Sequence, residues 1–480
     1  MMAPLIGTLV RTAALSAAMI AAGCASTLPS ERAAPPPIPS TWRDALVGAE
    51  SPVTDWWRGF NDPALNRFVA EALAEGPSLQ LAISRVREAR ALSRSTRSQF
   101  FPEVLAVGSG QYSAVLDGPA GAGNDREQMS GTAGAQVSWE LPLFAIGPAT
   151  SGARANTQSA LADMRGAQVA LAADVAQAYV DLRVAQASRI ALVQSIDTAD
   201  ELAKILAVGV KAGYSSEADA ADALRLAETA RTRLPDLVVE ERRAGNVLSI
   251  LRGRTPGTED VATQIEIDAI DRPVPYLWLA SAPAAPADLL RLRPDIARAE
   301  AQTLIAASQL GVARADLLPR LNITGSVSIT EALIGNPIDG DTLLASVTPL
   351  ISIPLFDWGR RVAVTGQRDA QFEQSLIQYR QAVTQAVADA SYALASLDQA
   401  RLRLVAAQGA EDAAATTARG SRAAYNAGIQ SLADRLRADQ QLIDANLTRI
   451  DAEAQLGRAA IAVYRAFGGG PAVTSELVRN

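Results

Sequence analysis

The sequence predicts a mixed membrane protein built by tandem duplication, each half supplying two membrane-type β-strands and a pair of very long helices. Three observations carry that prediction. Residues 293–330 read as a helix, a proline stop and an alternating strand, and the chain has written that theme once before. A heptad seam of apolar residues runs without a break through the tract after Trp358. Beyond Cys24 no apolar run approaches the roughly 18 residues of a spanning helix, so any membrane crossing must use strands.

Composition narrows the function classes. Among 480 residues there is no histidine, which removes the commonest general base and metal ligand. Cys24 is the one cysteine, so neither an internal disulfide nor a Cys-based metal site can form. A net charge of −7 leaves no basic footprint for nucleic acid. Abundant alanine, scarce aromatics and long proline-free tracts favour long helices over compact cores.

In chain order, residues 1–23 read as a secretory signal. Arg11 is their one charge, and the apolar run that follows is too short to span a bilayer. The small residues Ala21-Ala22-Gly23 before Cys24 resemble a bacterial lipoprotein box, which makes Cys24 the expected lipidated first residue. Ala25 follows it, and no aspartate there argues for inner-membrane retention. Residues 25–39 form a Pro/Ala/Ser-rich tether. Residues 42–61 are irregular, and Pro63 opens a helix.

The first copy of the theme then begins at Pro77. Pro77 and Pro102 are 25 residues apart, as are Pro294 and Pro319, and both pairs are offset by 217 (294 − 77 and 319 − 102). The echo continues. Pro142-Leu-Phe144 matches Pro354-Leu-Phe356, Ala178-Tyr179 matches Ser391-Tyr392, Lys211-Ala-Gly213 matches Asn426-Ala-Gly428, and Leu251-Arg-Gly253 matches Phe467-Gly-Gly469. A period this long means two domain-sized repeats and not a solenoid.

Each half therefore reads helix, strand, loop, strand, very long helix, turn, long helix. Strands are expected over 104–115, 132–144, 321–330 and 343–355, with loops at 117–130 and 331–342. Period-two alternation over such lengths fits a tilted outer-membrane strand. The helix after Trp358 should run to about Gly428, roughly 100 Å at 1.5 Å per residue. Its seam is Leu376, Val383, Ala390, Leu397 and Leu404, flanked by Phe372, Tyr379, Ala386, Ala393, Ala400 and Ala407. The return helix repeats the spacing at Leu436, Ile443, Ile450 and Tyr464 and stops at Gly468-Gly469-Gly470. The Phe144-Ala-Ile-Gly-Pro148 turn lacks the Gly-Arg of its partner copy and signals its helix start less strongly. The chain thus divides as 1–23 signal, 24–62 tether and irregular segment, 63–253 first repeat, 254–286 linker, 287–469 second repeat and 470–480 tail.

Periodicity alone also fits a plain coiled-coil rod; the strands decide against it. Four per chain are too few for a barrel, whose smallest membrane form has about eight, and open strand edges cannot face lipid. Copies must pool their strands, as eight from two chains or twelve from three.

No nucleophile–base pair stands out, and the Gly469-Gly470-Pro471 run precedes no helix that could cradle a phosphate. The candidate sites are the two hairpin tips, 213–228 and 428–442. A shift of 215 superposes Asp219 on Asp434 and Asp222 on Arg437. Repeated around an axis, Asp219, Asp222 and Asp434 make an acidic ring that selects or gates. As solvated residues near helix N-termini, the same aspartates serve only the helix dipole.

The motifs Arg293-Pro-Asp-Ile296, Gly311-Val-Ala-Arg-Ala315 with Leu318-Pro319, Pro354-Leu-Phe-Asp-Trp-Gly-Arg360, Tyr425-Asn-Ala-Gly428 and Tyr464-Arg-Ala-Phe-Gly-Gly469 resemble those of the TolC-like outer membrane efflux proteins. Within that family the resemblance is to the lipidated branch related to NodT and OprM, over nearly all of the mature chain. It implies a homotrimer whose twelve strands form one barrel in outer-membrane lipid, continued by an α-helical coiled-coil barrel in the periplasm. It further implies a passive exit duct with no cofactor and no enzymatic activity. A periplasmic adaptor and an inner-membrane pump of RND type would dock at its tips. The family's gate positions fall on Asp219, Asp222 and Asp434, and a constriction residue falls on Tyr425. Arg437 stands where relatives of this branch often carry aspartate, so the second ring is mixed in charge, and an Asp434–Arg437 contact is expected to help hold it closed. A type I secretion duct and a lipid-anchored scaffold without a pore are the alternatives.

Overall fold

The computed structural model of the chain describes residues 35–42, 54–114, 127–258, 264, 267, 273–279, 284–334 and 342–471. A 3-10 turn, Trp56–Phe60, precedes α1 (Pro63–Glu75) and α2 (Pro77–Ser98). Then come β1 (Glu103–Ala114), β2 (Glu127–Leu141), α3 (Ile146–Lys211) and α4 (Glu217–Leu251). The second half follows as the short α5 (Leu289–Leu292), α6 (Pro294–Ala315), β3 (Arg320–Ile334), β4 (Thr342–Ser352), α7 (Arg360–Asn426) and α8 (Leu432–Ala466). Matched elements have matched lengths: 22 residues in α2 and α6, 35 in α4 and α8, and 66 and 67 in α3 and α7. At 1.5 Å per residue the two longest span about 100 Å.

The strands lie in one antiparallel sheet in the order β1-β2-β3-β4. Their ends correct the expected ranges. β2 starts at Glu127, not 132, because its polar first residues pair with β1 although they carry no alternation. It stops at Leu141 and β4 stops at Ser352, short of 144 and 355, because Pro142 and Pro354 have no N–H to give a ladder. β3 runs on to Ile334, so the start of the loop expected at 331–342 is strand. The end of the loop expected at 117–130 is strand as well. Thr342, expected as the last loop residue, opens β4, and the remainder of both loops lies outside the described residues.

Register aligns the alternation across the sheet. Val104 faces Val137, which faces Gly325 and then Val347; Ala106, Ala135, Val327 and Ala345 form the next row. Trp139, Ile323 and Pro349 follow, then Leu141, Leu321 and Ile351. The opposite face carries Gln136, Ser326 and Ser346, with the two serine hydroxyls 2.9 Å apart. From Met129 to Leu141 the apolar face is about 40 Å along the strand at ~3.3 Å per residue, or about 28 Å of height at a 45° tilt. That height matches the apolar band of an outer-membrane barrel. Among the described residues no helix is long and apolar enough to cross a membrane.

The helices continue the sheet in two tiers. Below the strands α2 packs on α3, α3 on α6 and α6 on α7. Further down the side-by-side order is α4, α3, α8, α7. Only α3 and α7 belong to both tiers. Seam residues Leu376, Val383, Ala390, Leu397 and Leu404 are all buried, as are Leu436, Ile450 and Tyr464 of the return helix. Each buried leucine stabilises by roughly 1.5–3 kcal/mol.

Between the tiers the chain ties itself together. Gly253 (φ 78) and Gly468 (φ 73) end α4 and α8 in left-handed conformations. A Cβ on Gly253 would stand 2.9 Å from the Glu75 carbonyl, and one on Gly468 2.6 Å from that of Leu292. Glycine is required at both for conformation and for space. The segment expected to be irregular before Pro63 holds its 3-10 turn between left-handed Asp55 and Asn61. Trp56 stacks on Tyr464 at 5.0 Å, and Trp42 donates its indole N–H to the Ala284 carbonyl at 2.8 Å. Asp62 caps α1 by accepting from the Ala64 and Leu65 N–H groups, and it also accepts from the Tyr179 hydroxyl at 2.7 Å.

Candidate functional site

Both hairpin tips are built by the same local chemistry at an offset of 215. In the first, Gly213 (φ 79) donates to the Val210 carbonyl and Tyr214 to that of Gly209, which closes α3 as a Schellman motif. In the second, Gly428 (φ 72) donates to Tyr425 and Ile429 to Ala424. Ser216 and Ser431 then cap α4 and α8 in extended conformation, each accepting from the N–H three residues on, that of Asp219 or Asp434, at 3.1 Å. Capping serines and first-turn acids are what a helix N-terminus favours.

The predicted residues fall as follows. Asp219 and Asp434 occupy equivalent, solvent-exposed positions in the first turns of α4 and α8. Asp434 accepts from the Ser431 hydroxyl at 2.7 Å and from Arg437 Nη1 at 3.2 Å. The Ser431 hydrogen bond, helped by Arg437, holds its carboxyl below the usual carboxylate range. Asp222 accepts from Arg225 Nε and Nη2 at 3.0 and 2.7 Å, so each repeat pairs an acid with an arginine three residues on. The expected Asp434–Arg437 contact is thus present as a neighbour pair on one helix. Tyr425 is half-buried, with the Arg435 guanidinium 5.7 Å from its ring centroid. Among the described residues no hydrogen bond or ion pair joins Asp219 or Asp222 to Asp434. Cys24 lies outside the described residues.

One cluster escaped sequence reasoning. Asp439, buried on α8, accepts from Arg422 Nε of α7 at 2.9 Å and lies 3.5 Å from Arg435 Nε. Ser421 donates to Gln430 across the same turn at 2.9 Å. At the 215 offset the first repeat has Ala207, Leu224, Ala220 and Leu206 in place of Arg422, Asp439, Arg435 and Ser421. The second tip is therefore cross-braced by charge. In the first hairpin the ion pair between helices, Arg231 with Asp200, lies further from the turn, and Leu202, Leu206 and Ala223 pack with Ala433 and Leu436 of the second hairpin. An antiparallel hairpin centred on residue 430 brings positions 422 and 439 opposite one another. That was the available signal.

The arrangement contains no nucleophile poised beside a base. It offers exposed acids in the first turns of two hairpin helices, one of which carries a charge brace beside its turn. The "Outer membrane efflux protein" family model matches residues 68–249 and 285–469. Outer membrane protein OprJ of Pseudomonas aeruginosa is 28% identical over 93% of each chain. The probable outer membrane lipoprotein SilC of Salmonella typhimurium is 25% identical over 95% of this chain and 98% of its own. The solved outer-membrane channel OprN is 27% identical and superposes with a TM-score of 0.76, covering 91% of this chain and 99% of that one.

Proposed function

We propose, from the premise that this chain belongs to the outer membrane efflux protein family, that it is the exit duct of a tripartite efflux pump. It is an outer-membrane efflux protein whose chain contributes four antiparallel strands and two long helical hairpins. The observation that carries the duct is the open edge on each side of the chain. β1 and β4 end the sheet, and α4 and α7 end the lower helical tier, so the unpaired edges run from the membrane to the tips. Strand edges in lipid must be paired. Joining β4 of one copy to β1 of the next is a head-to-tail contact that closes a ring.

Two copies would make eight strands, and side chains fill the interior of a barrel that small. A duct therefore favours three copies and twelve strands. Transport through it is passive, with energy supplied by an inner-membrane pump, of RND type, and a periplasmic adaptor docked at the tips. Asp219, Asp222 and Asp434, with Arg437 and Tyr425, form the gate there, where like charges favour cations and repel one another. Cys24 carries a lipid anchor, a reading supported by the likeness to a probable outer membrane lipoprotein. The working units are repeats 63–253 and 287–469 around the linker 254–286.

Planar-bilayer recording of the purified protein tests the duct. The expected result is small, rare openings of defined conductance. Absence of any conductance, together with complete extraction from membranes after Cys24→Ser, would overturn it in favour of an anchored scaffold without a pore.

A further inference from the structure

The two hairpins meet inside the chain through one helix pair, and the duplication offers that pair a second time at the edge. The lower tier runs α4, α3, α8, α7, so the inner contact sets the outgoing helix of the first repeat against the return helix of the second. A next copy beside α7 presents its α4, which again sets an outgoing helix against a return helix. The offset of 215 relates the two contacts. It holds at the tips, where Gly213 and Ser216 match Gly428 and Ser431, and past the far ends of α4 and α8, where Gly253 matches Gly468. It holds between them as well. Arg189 pairs with Glu241 at 2.8 Å, and seven residues nearer the tip on each helix the second repeat pairs Glu411 with Arg449 at 2.7 Å (196 + 215 and 234 + 215).

Inside the chain Asp181 of α3 accepts from Arg458 of α8 at 2.7 Å, and Ala185 and Ala454 beside them are buried. At the edge the same positions are Ser396 and Arg243, with Ala400 and Val239. No acid is left there for Arg243, which pairs with Glu240 on its own helix. One heptad nearer the tips the roles reverse. The inner positions Ser188 and Asp451 become Arg403 on α7 and Asp236 on α4 (188 + 215 and 451 − 215). Both are solvent-exposed, and among the described residues neither makes a hydrogen bond or ion pair.

We propose that α7 of one copy packs against α4 of the next in the register of α3 against α8, with Arg403 paired to Asp236 across each contact between copies. The proposal rests on the ring of copies inferred above. Charge complementarity selects a second copy of this chain as the occupant of the edge. A guanidinium and a carboxylate stand unpaired on opposite edges of one chain, at the height that head-to-tail closure brings together.

Cross-linking of the full-length protein in membranes with a short bismaleimide tests the register. Arg403→Cys combined with Asp236→Cys should give covalent dimers and larger species on denaturing gels. Neither single variant should, which also excludes linkage through Cys24. If Arg403→Cys links instead to Thr229→Cys or Arg243→Cys, one heptad to either side, the register is wrong and the ring of copies stands. If it links at none of the three heights, the ring falls with it. Charge reversal tests the pair itself. Arg403→Glu should speed exchange of labelled chains between oligomers about fivefold, the upper end for one exposed ion pair. Arg403→Glu with Asp236→Arg should restore the wild-type rate, and a double variant as fast as the single one would show that the two side chains do not meet.

Discussion

Arg293 Nη1 donates at 2.9 Å to the carbonyl oxygen of Ala466, the last residue of α8, and its Nη2 bridges Asp295 at 2.6 Å and Asp389 at 3.2 Å. One guanidinium thus joins the start of α6, the middle of α7 and the end of α8. In the first repeat Gly76 takes the corresponding place, and a Cβ there would lie 2.9 Å from the Leu251 carbonyl at the end of α4. Arg293→Lys keeps the charge but not the planar fork. It should cost about 2 kcal/mol, the scale of one hydrogen bond to a charged group, read as a lower unfolding midpoint of the solubilised protein.

The same cluster sets a response to acid. Burial works against the Asp295 carboxylate, but the hydrogen bond and charge of Arg293, with the Ile296 N–H, outweigh it and leave the carboxyl below its ordinary value. A depressed carboxyl contributes stability that is full above its unfolded pKa, about 3.9, and is lost as pH falls through the folded value. Thermal midpoints should be insensitive to this group above about pH 5 and should fall below about pH 4. Asp295→Asn should lower the midpoint at neutral pH and flatten the acid limb. An unchanged acid limb would assign the loss to other carboxylates.

The glycine turns should differ in tolerance. Gly428 has φ 72 and nothing within 4 Å of an added Cβ, so Gly428→Ala carries backbone strain alone, about 1–2 kcal/mol. Gly468→Ala adds a backbone clash with the Leu292 carbonyl, which no rotamer can relieve. Its unfolding midpoint should fall clearly further.

At the tips, Asp434→Ala removes an acid and the acceptor that Ser431 and Arg437 share. Asp439→Asn weakens the brace between α7 and α8. Both should raise the frequency of channel opening in planar bilayers. Unchanged conductance across Asp219, Asp222 and Asp434 variants would remove the gate assignment.

The sheet offers a two-sided test. Val327 lies in an apolar row near mid-height, and Ser326 beside it points to the polar face. Val327→Arg should destabilise the folded protein in lipid by about 2–4 kcal/mol, and Ser326→Arg by much less. Urea unfolding in vesicles measures both, and equal costs would contradict the assignment of faces.

The periodic elements of the fold were readable in advance. The seam from Leu376 to Leu404 and the alternation from Leu321 to Ile329 follow from spacing alone, because one face of each must be buried or face lipid. What spacing could not supply was partnership. β2 extends back to Glu127 only because β1 is there to pair with it. Arg183 and Arg252 are both buried; Arg183 lies over Tyr179, four residues back on its own helix, whereas Arg252 lies over Phe68 of a distant helix and has no local signature. At the tips the capping serines and the Asp434–Arg437 neighbours are local and legible. The Arg422–Asp439 brace joins two helices 17 residues apart and needed the hairpin geometry.

That only α3 and α7 belong to both tiers has a mechanical meaning. Two continuous helices per chain run through both tiers, while α4 and α8 end where α2 and α6 begin and contacts such as Arg293 with Ala466 couple the ends. A twist applied to one tier is therefore carried to the other along two continuous rods and through side-chain contacts at the break.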